Sequence, residues 1–169
     1  MCATSFAQNS FPESWIGNYK GDLKIYGVDS VKMNVKMYLD IVKTSKDSIF
    51  DWTITYDMNG KKDVRAYNLV VIDREKGYFQ IDENNSILID AYLHNKNVFT
   101  SFFKVMSSYI IATYIKNKDG TLTFEIIAGK ADSVSTTGNT KQGEEDIPEV
   151  NTYPVNGRQK AVLRKTDQD

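Results

Sequence analysis

The stretch Trp15-Ile16-Gly17-Asn18-Tyr19-Lys20-Gly21-Asp22-Leu23-Lys24-Ile25-Tyr26 alternates between two kinds of residue. Its odd positions carry Trp, Gly, Tyr, Gly, Leu and Ile, whereas the even positions from 18 to 24 are polar or charged. A period of two gives a β-strand one apolar face and one wet face. The two glycines on the apolar face remove side-chain bulk where a sheet bends sharply or is crossed closely. The stretch therefore predicts the first strand of a sheet that closes on itself.

Alternating or short apolar runs recur along the chain and are separated by turn pairs such as Asn59-Gly60 and Asp119-Gly120. Short, even spacing of this kind is typical of sandwiches and up-and-down barrels. Because adjacent hairpins favour a meander, we predict an all-β fold, a single antiparallel up-and-down β-barrel of about ten strands over residues 15–166. The predicted strands are 15–26, 31–41, 49–56, 64–73, 77–81, 86–94, 98–106, 109–116, 121–131 and 158–165.

Composition limits the possible functions. At 169 residues the chain is one domain, and its 21 Lys+Arg and 22 Asp+Glu residues give a net charge of -1. That balance provides no basic field, so we expect no nucleic-acid partner. No apolar run approaches the roughly 18 residues of a transmembrane helix. A single cysteine, Cys2, and a single histidine, His94, exclude an internal disulfide and leave little material for zinc or Ser/His chemistry, so we expect no metal and no cofactor.

The N-terminal residues indicate export. Ser5-Phe6-Ala7 fits the small-x-small pattern that ends a secretory signal peptide. We therefore interpret residues 1–7 as the remnant of such a peptide, 8–14 as an N-terminal tail and 167–169 as a C-terminal tail. A secreted or periplasmic location follows. Two alternatives remain open: Cys2 is the lipidated cysteine of a cell-envelope lipoprotein, or the segment is an ordinary cytosolic N-terminus.

The segment 132–152 departs from the strand pattern. It is rich in Ser, Thr, Gly and acidic residues and contains the run Gly143-Glu144-Glu145-Asp146. A connection of this length in a compact domain is usually functional or disordered. We expect a long acidic loop that is either a flap over one barrel mouth or a solvated excursion.

The opening Trp15-Ile16-Gly17-Asn18-Tyr19 resembles the first-strand signature of the calycin superfamily, which includes lipocalins, fatty-acid-binding proteins and bacterial lipocalin-like or nitrobindin-like barrels. The ten-strand count is similar to the last two branches. The resemblance implies that an arginine of the last strand covers Trp15 and, with Gly17, closes the barrel. Arg164 is the first candidate and Arg158 the second. Two helices typical of fatty-acid-binding proteins are missing here, and no histidine follows His94, so the haem role of nitrobindin-like barrels does not carry over.

The lumen of a ten-stranded barrel is wide enough that side chains need not fill it. Aromatic and methionine side chains would line it, and Arg65 with tyrosine hydroxyls would anchor a polar head group. We predict an exported, non-catalytic barrel whose partner is a small apolar or amphipathic ligand. The alternative is a filled barrel acting as an envelope or adhesion module through an apolar patch around Phe99 or Phe103. The predicted ligand-binding residues are Met33, Met37, Trp52, Tyr56, Arg65, Tyr67, Phe102 and Tyr109.

No enzyme signature is visible, since neither a nucleophile elbow nor a phosphate-binding loop occurs. Asp51, Asp90 and Glu125 alternate with large residues and are the only candidates for inward-facing acids, although an outward position is normal for a charge. His94 ends a strand beside a turn, and we interpret it as a surface residue because a lone imidazole is a poor metal site.

Three tripeptides share the pattern Asp-Ser-aliphatic: Asp29-Ser30-Val31, Asp47-Ser48-Ile49 and Asp132-Ser133-Val134. They resemble the O-glycan acceptor motif of certain Gram-negative bacteria with periplasmic glycosylation. Asp-Ser is also good turn chemistry before a strand, so both interpretations stay open.

Overall fold

The computed structural model describes residues 10–166, and its strands form a closed antiparallel barrel. Ten strands follow the ring order β1-β14-β9-β8-β7-β6-β5-β4-β3-β2, so each strand from β1 to β8 pairs with the next, and β14 joins β9 to β1. The predicted all-β, ten-stranded up-and-down barrel is confirmed. The barrel strands are β1 (Gly17–Tyr26), β2 (Val31–Lys43), β3 (Ile49–Met58), β4 (Lys61–Asp73), β5 (Tyr78–Asp82), β6 (Leu88–His94), β7 (Val98–Val105), β8 (Ser108–Lys116), β9 (Leu122–Lys130) and β14 (Gly157–Lys165).

The two glycines of β1 lie where other chain segments approach closely. Gly17 has φ +147, and a Cβ there would lie 2.3 Å from Cε of Lys165. A Cβ on Gly21 would lie 2.3 Å from the carbonyl oxygen of Val162. The Lys165 side chain can move away, so at Gly17 it is the positive φ that favours glycine, whereas at Gly21 the close atom belongs to the backbone of β14. The approach of β14 to β1 therefore depends on the missing side chain at Gly21.

The segment between β9 and β14 forms two small ribbons. β10 (Ser135–Thr137) pairs with β13 (Val150–Thr152), and β11 (Thr140–Gln142) pairs with β12 (Glu145–Ile147). Nearly all of these residues are exposed, and neither ribbon pairs with the barrel. The acidic segment is therefore a hairpin-like arm that projects into solvent. Its strands carry polar or charged residues on both faces, so neither face has to be buried.

One end of the barrel is closed by the residues before β1. A single 3-10 turn, Glu13–Trp15, places Trp15 inside the barrel with 1% of its surface exposed. Phe11 packs beside it, with ring centroids 4.8 Å apart, and also lies 4.9 Å from the rings of Phe79 and Phe99. Phe11, Pro12 and Trp15 are buried, so this part of the segment before β1 belongs to the core, while Ser14 remains exposed.

Polar contacts hold residues 11–15, which we call the plug, against the barrel. The Arg74 guanidinium donates to both Glu13 carboxylate oxygens, at 3.0 and 2.6 Å, and to the carbonyl oxygen of Phe11 at 3.0 Å. The Tyr19 hydroxyl donates to the carbonyl oxygen of Trp15 at 2.8 Å, and Lys116 Nζ donates to that hydroxyl at the same distance. These bonds satisfy the polar groups that the plug buries. We call this region, with the turns after β2, β4, β6 and β8, the closed end, and the opposite end the mouth.

Candidate functional site

A pocket of about 260 Å³ opens into the lumen at the mouth. All of its lining residues occupy inward positions of β1, β2, β3, β4, β9 and β14. The registers explain how they meet: Ile126 pairs with Gln159, Gln159 with Ile25, and Leu23 with Val35. The lining residues are Leu23, Ile25, Val35, Tyr56, Met58, Asp63, Arg65, Ile126 and Gln159.

The pocket has one apolar wall and one polar wall. Aliphatic side chains of β1, β2 and β9 form the first. The second lies on β3 and β4, where Tyr56 pairs with Asp63 and Ile54 with Arg65. The Arg65 guanidinium carbon lies 5.1 Å from the centroid of the Tyr56 ring, within the range of a cation–π contact. An apolar wall facing a cation and a phenol suits a molecule that is apolar at one end and polar at the other.

Arg65 is only loosely held by the protein. Its Nε and Nη2 donate to one oxygen of Asp63 at 3.3 and 3.1 Å. The two side chains are 48% and 54% exposed, and an ion pair this exposed contributes about 0–1 kcal/mol. Guanidinium carries five N–H groups, so donors remain for a bound molecule even while the pair with Asp63 persists.

Two tyrosines beside Arg65 keep their protons at neutral pH. Burial raises the pKa of Tyr56, and the opposing effect of the Arg65 charge does not cancel it. Burial, followed by the negative charge of Glu83, raises the pKa of Tyr67. Tyr56 therefore offers an O–H donor at the polar wall, where an ionised phenolate would repel an anionic head group, whereas the Tyr67 hydroxyl is engaged by Glu83 and Arg65.

Below the pocket the lumen is filled with side chains. Trp52 lies two residues deeper than Ile54 on β3 and packs edge-on against Tyr114, with ring centroids 5.2 Å apart. Tyr114 in turn lies 4.7 Å from Phe124, and Trp52 lies 5.8 Å from Phe99. Burial raises the pKa of Tyr114 strongly, as expected for a phenol surrounded by aromatic rings. The aromatic layer is the floor of the pocket and limits a bound molecule to the upper half of the barrel.

Larger depressions lie outside this lumen. One, of about 810 Å³, is open to solvent on the outer side of β1–β3 and is lined largely by charged and amide residues such as Asp22, Lys24 and Asn34. A second, of about 430 Å³, lies on the outer side of β1, β2 and β14. A third, of about 590 Å³, lies beside the plug at the closed end and includes Phe11, Arg74 and Lys116. The mouth pocket is smaller than these three, but it alone among the four combines an inward position with the residues that alternation placed in the lumen.

The structure brings five of the eight predicted ligand-binding residues into the lumen. Tyr56 and Arg65 line the pocket, and Tyr67 faces inward beside Arg65. Met37 and Trp52 also face inward, but at 0% and 1% exposed they belong to the packed half and not to the pocket wall. Met33 differs, since it is 48% exposed at the rim and borders the outer depression.

Phe102 and Tyr109 do not line the lumen. On β7 the buried residues are Phe99 and Ser101, so alternation turns Phe102 outward, where it is 65% exposed. Tyr109 lies on the outer face of β8, with its ring centroid 5.8 Å from Phe102 and 5.4 Å from Tyr153. Both strands carry large apolar residues on both faces. The alternation of apolar and polar residues that distinguishes an inward from an outward face is therefore missing from their sequences. The predicted patch around Phe99 or Phe103 likewise lies instead around Phe102.

Arg164 does not cover Trp15. Ala161 and Leu163 are buried, so the alternation of β14 turns Arg164 to the outer face, where it borders a depression with Lys20 and Tyr38. Arg158 also faces outward and donates to Glu125 at 2.5 Å. The cations that serve closure are Arg74, which holds the plug, and Lys116, whose Nζ lies 4.7 Å from the Tyr19 ring centroid. The sequence analysis placed Lys116 in a strand and Arg74 in the turn after one, and neither pattern showed which end of the barrel the residue would face.

The other candidate groups lie outside the lumen. Asp51 is exposed, Glu125 bonds to Arg158, and Asp90 accepts hydrogen bonds from Tyr78 and Gln80 on the outer face at 2.9 and 3.0 Å. His94 is exposed at the end of β6. Within residues 10–166, no group of three or more His, Cys, Asp or Glu side chains is placed to hold a metal ion. That same range contains no helix with the length and hydropathy of a membrane span.

Comparison with known proteins yields a likeness of fold. No protein-family model and no curated protein sequence matches the chain. Among solved structures, the S-type phycobiliprotein lyase CPES from Guillardia theta is similar, with a TM-score of 0.60 over 96% of both chains and 7% sequence identity. At this identity the likeness shows the fold alone.

Proposed function

We propose that the protein binds a small amphipathic ligand in the mouth pocket, without chemical turnover. The observation that supports this most is the lumenal pocket of about 260 Å³ with aliphatic side chains on one wall and Arg65 on the other. Its volume lies just below the roughly 300–1,000 Å³ of pockets that enclose drug-sized ligands. The ligand is therefore smaller than these, or its polar end extends from the mouth. A barrel of the same outline in a phycobiliprotein lyase is compatible with small-molecule binding.

The polar wall favours an anionic head group. Arg65 supplies a cation whose pair with Asp63 is weak, and Tyr56 supplies a neutral donor. Hydrogen bonds to a charged partner contribute about 1.5–3 kcal/mol each, more than the exposed pair with Asp63, which can persist alongside them. We infer a carboxylate or comparable anion on a short apolar chain.

Titration with matched probes tests the head group. Octanoate and octanol share an apolar chain and differ in charge, and calorimetry at neutral pH measures both. We expect octanoate to bind at least tenfold more tightly, and Arg65→Met to remove that preference. Arg164→Met, which removes an exposed arginine from the outer face, is the control and should leave both affinities unchanged. Absence of saturable binding by octanoate and by fluorescent fatty-acid probes would overturn the proposal.

Adjacent isoleucines on β9 test the location. Ile126 faces the pocket and Ile127 faces outward, although both are only partly buried. Ile126→Trp should fill the pocket and lower the affinity for the probe at least tenfold, whereas Ile127→Trp should leave it within twofold. Equal effects of the two substitutions would place the binding site elsewhere.

Native mass spectrometry of protein purified from its source tests for a resident ligand and for turnover together. We expect a retained molecule that appears as added mass and is released unchanged on denaturation. A product that accumulates during incubation with the protein would contradict a purely binding role.

We also propose that the protein is exported to the periplasm or beyond the cell. Support comes from the Ser5-Phe6-Ala7 pattern, which lies outside the described residues. Cell fractionation with N-terminal sequencing tests this, and we expect a mature protein that begins at Gln8 in the exported fraction. Recovery in the cytosol with Met1 or Cys2 at its start would contradict export, and a lipid-modified Cys2 would establish the lipoprotein alternative.

A second candidate function rests on the outer-face patch formed by Phe102, Tyr109, Tyr153 and Val155. Phe102, Tyr153 and Val155 are 65%, 45% and 71% exposed. This patch depends on Gly129, because the chain at Pro154 passes close to β9 at that position. A Cβ on Gly129 would lie 1.9 Å from the carbonyl oxygen of Pro154, so a side chain there would push the segment with Tyr153 and Val155 away. Exposed apolar patches often mark interaction surfaces. An envelope or adhesion role predicts that Phe102→Ser releases the protein from cell-surface fractions while octanoate affinity stays the same.

A further inference from the structure

The three Asp-Ser pairs of the chain all precede a β-branched aliphatic residue, and all lie outside the barrel strands. Asp29-Ser30 is in the β1–β2 connection, Asp47-Ser48 in the β2–β3 connection and Asp132-Ser133 in the segment after β9, separated from its last residue by Ala131. Every one of these six residues is exposed. One tripeptide pattern thus recurs in three separate surface connections.

Turn formation is the ordinary explanation for aspartate at such positions. Other turn aspartates of the same chain show which hydrogen bonds that role involves. Four other aspartates accept hydrogen bonds from backbone N–H groups of their own turns, as is usual for this residue. Asp57 accepts from Gly60 N–H at 2.7 Å, and Asp73 accepts from the N–H groups of Glu75 and Lys76, both at 3.1 Å. Asp82 accepts from Asn84 N–H at 2.8 Å, and Asp119 accepts from Thr121 N–H at 3.0 Å.

The aspartates of the three tripeptides make no such bond within residues 10–166. Asp47 lies 3.2 Å from Lys43 Nζ in an exposed ion pair, and neither Asp29 nor Asp132 accepts a hydrogen bond from the described part of the chain. The hydroxyls of Ser30, Ser48 and Ser133 are equally without a partner there. The backbone itself closes the turns at residues 27–30 and 46–49, with Gly27 N–H donating to the Ser30 carbonyl oxygen and Ile49 N–H to that of Lys46. Capping of the turn by the aspartate side chain therefore does not account for the repeated pattern.

We propose that Ser30, Ser48 and Ser133 are acceptor sites for O-linked glycans, recognised as Asp-Ser-(Val/Ile). In the reaction the serine Oγ forms a bond to the anomeric carbon of a sugar activated as its diphosphate ester. The bond from that carbon to the diphosphate oxygen breaks, the diphosphate leaves with the electron pair, and a base of the transferase takes the hydroxyl proton. The sugar donor and the transferase are supplied by the host.

Two of the tripeptides offer all three parts of such a motif to a transferase, and the tripeptide that begins at Asp47 offers the first two. The aspartate presents an unpaired or weakly paired carboxylate, and the serine presents an exposed hydroxyl. The third residue presents apolar surface in two of the tripeptides, since Val31 is 37% and Val134 is 66% exposed, whereas Ile49 is half-buried at the start of β3. Val28, two residues before Ser30, is 99% exposed, and a glycan at Ser30 would shield it from other apolar surfaces.

Glycosylation suits these positions better than phosphorylation. A phosphate carries a charge of about -1.5 to -2 at neutral pH and would be placed next to the carboxylate of the preceding aspartate, where it is repelled. A neutral sugar has no such cost. The sites also lie at both ends of the barrel, with Ser30 at the mouth and Ser48 at the closed end, as expected for a solubilising cover and not for a switch at one site.

Intact-mass analysis and peptide mapping of protein from its native host test the proposal. We expect masses above that of the polypeptide by up to three equal increments, located on Ser30, Ser48 and Ser133, resistant to phosphatase and removed by β-elimination. Replacing Ser30, Ser48 and Ser133 with alanine should abolish every increment. Asp29→Asn, Asp47→Asn and Asp132→Asn test the motif, and each should remove the increment at its own serine.

Ser107 is the matched control, because it is an exposed turn serine that follows Met106 and not an aspartate. An increment on Ser107, unmodified Ser30, Ser48 and Ser133, or removal of the added mass by phosphatase would each overturn the proposal. The inference depends on the export part of the proposed function, but not on the pocket. Octanoate titration of the unglycosylated protein therefore separates a failure of ligand binding from a failure of modification.

Discussion

The two halves of the barrel use the same ten strands and pack their interiors differently. At the closed end, Phe11, Trp15, Phe79 and Phe99 form a dry aromatic cluster whose members are 4% exposed or less. At the mouth, the inward positions carry Arg65, Asp63 and Gln159 beside aliphatic residues, and a pocket remains. The difference shows that alternation closes a barrel but does not decide whether its lumen is filled. The filling comes from aromatic side chains near one end and from a plug that precedes β1.

The largest expected effect is the loss of the plug. Trp15→Ala should lower the free energy of unfolding by about 3–5 kcal/mol, because it leaves a large cavity in a close-packed aromatic cluster. Ile25→Ala, at the edge of the mouth pocket, should cost less than about 2 kcal/mol, since its surroundings already contain free space. Urea unfolding of both variants measures the contrast. Equal losses would show that the two halves are packed alike.

Gly21 gives the next largest effect. In Gly21→Val the new side chain would collide with the carbonyl oxygen of Val162, which lies 2.3 Å from the Cβ position. Overpacking of this kind costs about 1–3 kcal/mol, and here it would separate β1 from β14. Hydrogen exchange should then show faster exchange of amides along β1 and β14 than along β5 and β6. Uniform protection in the variant would contradict a close approach at this seam.

Alkaline pH should act on the closed end through Tyr19. Burial raises the pKa of Tyr19 to about 12 from the ordinary value of 10.0. Above pH 10 the unfolded chain loses this proton while the folded chain keeps it, so stability declines as the pH rises from 10 to 12. The slope attributable to one such group is at most about 1.4 kcal/mol per pH unit. Tyr19→Phe should flatten the decline, and an unchanged slope would contradict it.

The smallest expected effect tests the inside-outside assignment of β7. Phe102→Ala should change the free energy of unfolding by no more than about 0.5 kcal/mol, because the ring is largely in solvent. Phe99→Ala, three residues earlier on the same strand, should cost about 3–5 kcal/mol. Thermal or urea unfolding distinguishes them. A larger loss of unfolding free energy at Phe102 than at Phe99 would mean that Phe102, and not Phe99, faces the interior of the barrel.

Much of the fold was predictable from the sequence. Alternation on β1, β2 and β3 identified strands and their inward faces, because one face is polar enough to be recognised. Turn pairs such as Asn59-Gly60 then indicated the hairpins that make a meander. Phe11 was not predicted in the core, since an isolated aromatic residue in a polar segment has no period and is buried only by contacts with distant strands.

The candidate site was predictable where that contrast holds. Tyr56, Arg65 and Tyr67 lie on the faces that alternation assigned to them. Phe102 and Tyr109 lie on strands that are apolar on both faces. In such strands, odd or even position in the sequence does not indicate which side chains face the lumen. The aliphatic half of the pocket, including Ile126, depends on how β9, β14 and β1 are staggered, which no local pattern encodes.

NMR chemical-shift mapping with saturating octanoate tests the central claim most directly. The account predicts that the large shifts are confined to the mouth, at Tyr56, Arg65 and Ile126 and their neighbours on β1 and β14, and that Trp15 and Phe79 at the closed end stay unperturbed. Shifts centred on the closed end or on the outer face around Phe102, or no shifts at saturating probe concentration, would contradict it.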